Sequence, residues 1–135
     1  MTVLAIVITA AITAACSAST PAAQGTVVKV VESDFEIAVQ KNVPAGDVVM
    51  MVRNLGPVDH ELIVVPAPDA DLPMRGDGLT VDEDAFKPEP LGAIEPYAPG
   101  SIRQLQLHLQ PGRYVLFCNM SGHFLGGMHE ILVAT

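Results

Sequence analysis

Apolar residues in this chain recur at every second position in short runs, and Gly, Pro, Asn and Asp separate the runs. That period belongs to half-buried β-strands rather than to helices. Thr26–Glu32 and Asp34–Gln40 are rich in β-branched residues, and in the second run Phe35, Ile37 and Val39 alternate with Asp34, Glu36 and Ala38. Asp47–Arg53 and Glu61–Val65 follow, separated by the turn Asn54-Leu55-Gly56-Pro57. In Ser101–Leu109, Leu105, Leu107 and Leu109 alternate with Gln104, Gln106 and His108, which marks one buried and one wet face. The last strands are Arg113–Cys118 and Met128–Ala134. About seven to eight short strands with Pro and Gly punctuation predict an all-β fold, a Greek-key β-sandwich. Between Pro66 and Pro96 the alternation breaks, and Thr80-Val81-Asp82-Glu83 predicts a capping box opening one short helix in the 66–96 segment.

Ahead of the first strand the pattern changes. Thr2–Ala15 is an uncharged apolar run, shorter than the roughly 20 residues a membrane-spanning helix needs and of the length of a secretory leader. Small residues precede Cys16, as in a lipobox, whose cysteine is acylated. The chain therefore divides into a signal-peptide or lipobox-like leader over 1–16, a flexible linker over 17–25 and a domain over 26–135. The expected location is extracytoplasmic, in the periplasm or on the outer face of the cell membrane, with a lipid anchor on Cys16. A cleaved soluble form and an uncleaved anchor are the alternatives. Membrane contact is expected only through that leader or lipid.

Charge narrows the partners. The net charge is −8, and every charged residue lies beyond the leader. Nucleic acid is excluded as a partner, because phosphate binding needs a basic surface. Asp69, Asp71, Asp77, Asp82, Glu83, Asp84 and Glu89 fall in one segment answered only by Arg75 and Lys87. That segment is either a solvated loop or a patch that steers a basic partner.

The chemistry concentrates between Cys118 and Met128. Cys118, His123 and Met128 stand at five-residue intervals in a glycine-rich loop, and His60 follows the Asn54–Pro57 turn just before the apolar run Leu62–Val65. Soft thiolate and thioether favour Cu(I), imidazole serves both oxidation states, and a His₂Cys plane with a weak axial Met is a type 1 copper donor set. Gly122, Gly126 and Gly127 are expected to supply positive φ as the loop turns. Cys16 belongs to the leader and Cys118 to the metal, so no internal disulfide is expected.

The pattern Gly112-Arg113-Tyr114-Val115-Leu116-Phe117-Cys118, then Gly122-His123, then Gly127-Met128, with His60 upstream, resembles the cupredoxins, small type 1 blue copper proteins of the plastocyanin and azurin kind. The spacing is closer to rusticyanin, sulfocyanin and the cupredoxins of copper tolerance. The resemblance covers roughly Thr26 to Thr135. It implies one copper ion held by His60, Cys118, His123 and Met128, and single-electron transfer with a redox partner, a cytochrome or an oxidase. Many such carriers follow the first His with Asn, whose amide points at the thiolate and whose side chain braces the loop. Here Glu61 stands in that place.

Other residues read as structure. His108 and His129 are expected at the surface, Tyr114 and Leu116 in the core beneath the metal by strand parity with Cys118, and Met50 and Met51 in strand packing. Met120, Phe124 and Leu125 are expected to form an exposed apolar patch around His123, the alternative being that Phe124 and Leu125 pack over the metal and exclude water. Four protein ligands leave no open position for substrate, and His-x-His pairs are lacking, so an enzyme is not expected. The alternative to an electron carrier is a copper-binding protein for tolerance, sequestration or delivery, with a copper-handling partner; a metal-free structural domain is the third reading. A monomer is expected.

Overall fold

The alternation resolves into nine strands in the computed structural model, which describes residues 25–135. They are β1 (Thr26–Ser33), β2 (Glu36–Val39), β3 (Asn42–Val43), β4 (Gly46–Asn54), β5 (His60–Pro66), β6 (Gly92–Tyr97), β7 (Ile102–Leu109), β8 (Gly112–Phe117) and β9 (His129–Ala134). One sheet has the order β2-β1-β4-β7 and the other β3-β9-β8-β5-β6. Most pairs are antiparallel, but β1 lies parallel to β4 and β3 parallel to β9. The all-β sandwich expected from the period is what forms. The leader and nearly all of the linker lie outside the described residues. Among the described residues no helix is long and apolar enough to cross a membrane.

The inner faces of the two sheets make the main core. Val28 and Val30 of β1, Met50 and Val52 of β4, Leu62 and Val64 of β5, Leu116 of β8 and Leu132 of β9 are all buried there. Each such side chain contributes about 1.5–3 kcal/mol by leaving water. A second, smaller core lies on the outer side of β5 and β8. Ile63, Val65, Val115 and Phe117 pack there against Leu72, Val81 and Phe86 of the stretch between β5 and β6, and against Phe124. That second cover explains the unbroken apolar run Leu62–Val65: the strand is buried on both faces.

The structure revises several sequence expectations. Nine strands replace about seven to eight. Asp34–Gln40 is not one strand, because the chain turns at Asp34–Phe35 before β2, and Phe35 stands 52% exposed at φ 61° instead of following Ile37 inward. Strand β6 lies inside the segment read as irregular; it is an edge strand, where Pro96 costs no ladder bond. The expected helix is a 3₁₀ turn, Glu83–Ala85, entered through Asp82 with no side-chain cap. Thr80 does not cap it, since its hydroxyl donates to Asp77 Oδ2 at 2.8 Å.

Candidate metal centre

Two loops at one end of the sandwich deliver the site. Between β4 and β5, buried Asn54 ties the turn to the frame: its Nδ2 donates to the carbonyls of Val58 (2.8 Å) and Tyr97 (3.1 Å), and its Oδ1 accepts the Gly56 N–H (2.8 Å). His60 thereby enters β5 with its ring fully buried. The second loop closes on itself. Cys118 N–H donates to Met128 O (3.1 Å), Met128 N–H to His123 O (3.0 Å) and His123 N–H to Met120 O (2.8 Å). Gly122 (φ 80°) and Gly127 (φ 101°) take the left-handed backbone such a loop requires. Gly126 does not. It is bare for space, because a Cβ there would stand 2.1 Å from Cδ1 of Phe35.

The loops bring three of the expected donors to one point. One donor atom from each of His60, Cys118 and His123 lies within 4.8 Å of the others, and Cys118 Sγ stands 3.5 Å from His123 Nδ1. Met128 is fully buried in the same core cluster as Cys118. Both ring nitrogens of His60 are buried without a hydrogen-bond partner, a costly state unless something else satisfies them. Burial and the nearby His123 hold the His60 pKa down, keeping the ring neutral and able to ligate. Burial also pushes the Cys118 thiol up to about 11, although the amides of Glu61 and Met120 pull the other way. A soft cation would displace that proton. Two imidazoles, a thiolate and a thioether in a dry pocket are a donor set that fits copper.

Glu61 lies electrostatically close to both the Cys118 thiol and the loop that follows it. Its backbone N–H pulls the Cys118 pKa down, and the backbone N–H of Asn119 does the same for the Glu61 carboxyl. Burial and Glu83 together lift that carboxyl to about 7. Asn119 fastens the loop on its other side: Oδ1 accepts the Val81 N–H (2.6 Å), while Nδ2 donates to Val81 O (3.1 Å) and Glu83 Oε1 (2.8 Å). Beneath the site Glu32 of β1 is fully buried and accepts the hydroxyl hydrogen of Tyr97. Tyr97 is the cross-strand partner of His60. Sequence reasoning missed Asn54, Asn119 and the Glu32–Tyr97 pair. Asn two residues before Gly in a turn was the one available signal, for Asn54.

The remaining expectations divide. Tyr114 and Leu116 are core, as strand parity implied, and of the two strand methionines Met50 is core while Met51 is half-buried. His108 is exposed and lies 2.6 Å from Asp47. His129 is only partly exposed, packed 5.0 Å from the Phe124 ring. The patch around His123 differs from expectation: Phe124 is buried in the second core, and Met120 packs against the main core. Leu125 remains, 56% exposed, and Phe35 joins it with its ring centroid 5.5 Å from that of His123.

This sandwich, with its donors gathered at one end, is the cupredoxin fold. Auracyanin from the photosynthetic bacterium Roseiflexus castenholzii is similar at TM-score 0.63 and 17% identity, over 84% of this chain and 99% of that one. Auracyanin A, a "blue" copper protein from Chloroflexus aurantiacus, matches at 0.60 and 16%, over 83% and 100%. Rusticyanin from Thiobacillus ferrooxidans matches at 0.61 and 14%, over 83% and 79%. Neither a protein-family model nor a curated protein sequence matches the chain.

Proposed function

We propose that the domain is an extracytoplasmic mononuclear type 1 copper protein that passes single electrons between redox partners through Cu(I) and Cu(II). The observation that carries this reading is the convergence of His60, Cys118 and His123 to within 4.8 Å, with Met128 buried beside Cys118. These four residues would hold the copper, His60, His123 and Cys118 as the principal donors and the Met128 thioether as a weaker one. A rigid, largely buried donor set moves little when an electron arrives, which suits a carrier. His123, flanked by exposed Phe35 and Leu125, is the ligand nearest solvent and the natural exit for the electron. The partner is another redox protein, a cytochrome or an oxidase, met through that apolar rim. A lipid on Cys16 would hold the domain at the membrane.

Titration with Cu(II) tests the assignment. One equivalent should give an intense blue charge-transfer band that Cys118→Ser abolishes. Stoichiometric copper without colour would reject the type 1 site. Copper that exchanges rapidly onto a competing protein, with negligible electron self-exchange, would favour copper handling instead.

A further inference from the structure

Sequence reasoning placed Asp34 and Phe35 in a strand, yet they form a turn that reaches the metal centre from the opposite sheet and touches both histidines. Asp34 Oδ1 stands 3.4 Å from His60 Nε2. Phe35 covers His123, ring centroids 5.5 Å apart. Several features hold the turn there at a cost. Phe35 adopts a left-handed backbone, φ 61°, which costs a non-glycine residue about 1–2 kcal/mol. Two glycines on other loops make room. A Cβ on Gly56 would lie 2.5 Å from His60 Nε2 and 2.9 Å from Asp34 Oδ1, and one on Gly126 would lie inside the Phe35 ring's contact distance. A strained turn for which two other loops are cleared is not accounted for by core packing, since Phe35 stays half exposed.

We propose, on the copper reading above, that Asp34 is a positioning residue for the metal centre: its carboxylate accepts the Nε2 proton of His60 and so presents Nδ1 to the metal. At 3.4 Å the contact is slightly longer than a hydrogen bond. A cation on Nδ1 would polarise the Nε2–H and draw the carboxylate in. Metal-bound histidines commonly donate their second N–H to such a group, which fixes the tautomer and raises ligand basicity. Here the acceptor is a carboxylate rather than a carbonyl, so it would also offset the metal's charge. Cu(II), with one more positive charge than Cu(I), gains more from it.

The test compares Asp34→Asn, Asp34→Ala and Asp34→Glu with wild type after copper loading. Asp34→Asn should stay blue and shift the Cu(I):Cu(II) affinity ratio at least tenfold toward Cu(I), read as a reduction potential higher by ~59 mV for one electron. Asp34→Glu should return part of that shift. Asp59→Asn serves as a charge control, because Asp59 acts on His60 through its field alone; it should shift the ratio less than Asp34→Asn. The Cu(I) form is diamagnetic, so ¹⁵N NMR should place the His60 proton on Nε2 in wild type. Equal shifts from Asp34→Asn and Asp59→Asn, or a His60 proton on Nδ1, would overturn the proposal while leaving the blue site standing. A wild type that never turns blue would instead reject the copper reading.

Discussion

The two cores of this domain are built by different rules, and the ligand loop sits where they meet. The main core lies between regular strands whose side chains alternate, and it receives Cys118 and Met128. The outer core lies between the second sheet and an irregular stretch, and it receives Phe117 and Phe124. Successive residues Phe117 and Cys118 therefore point into different cores. The comparison teaches that the donors are not simply perched on a loop at the end of a sandwich. They are clamped from both sides, so a change in either core reaches the candidate ligands.

The largest break in this picture should come from Phe124→Ala. If Phe124 anchors the outer core through its edge-on contact with Phe117, at 5.7 Å between centroids, its loss should cost about 3–5 kcal/mol by urea denaturation. A cost near zero would restore it to an exposed patch. The main core is tested next through Glu32, whose carboxyl burial lifts from 4.5 to about 7. A carboxyl raised in the fold binds its proton more tightly there than in the unfolded chain, so the contribution of Glu32 to stability is fully present below pH 4.5. It falls as pH climbs toward 7, by on the order of 3 kcal/mol, and is flat beyond. Glu32→Gln should flatten much of that fall, leaving the part due to Glu61, whose shift has the same sign.

The seam between the cores is sharpened by Asn119→Ala. Losing its three bonds leaves the Val81 N–H and C=O unpaired, which should cost about 2 kcal/mol. Amide exchange should rise over residues 72–86 before it rises anywhere in the strands, and copper should stay bound. Leu125→Lys touches neither core, and stability should hold within about 0.5 kcal/mol. Its effect should appear in electron self-exchange, slowed by a charge at the rim of His123 while the colour is unchanged, compared at matched ionic strength.

The same contrast explains what the sequence could reveal. Leu105, Leu107 and Leu109 announce the inner face of β7 because strand parity is a local property. The donor loop is legible because a thiol, an imidazole and a thioether are rare enough together to speak for themselves. The outer core is not legible: Leu72, Val81 and Phe86 are single anchors on an irregular chain, and nothing periodic links them to Phe117. The Asp34–Phe35 turn was hidden for the opposite reason, since its residues continue a perfect alternation that the backbone interrupts. Strand β6 was obscured by Pro96, which an edge permits and a central strand would not.

The division of the donors between a single loop and a distant strand has a thermodynamic consequence. Cys118, His123 and Met128 share one loop, so an unfolded chain keeps them close and retains affinity for a soft ion, whereas His60 joins them only when β5 docks against β8. A ligand stabilises a fold only by the margin with which it prefers that fold over the unfolded chain. Any rise in melting temperature on loading copper would therefore include what His60 and the geometry it completes add to the affinity of the folded protein over that of the unfolded chain. A variant lacking His60 would gain less stability from a bound ion than wild type, because the one donor supplied from outside the loop is brought to the others only by the fold.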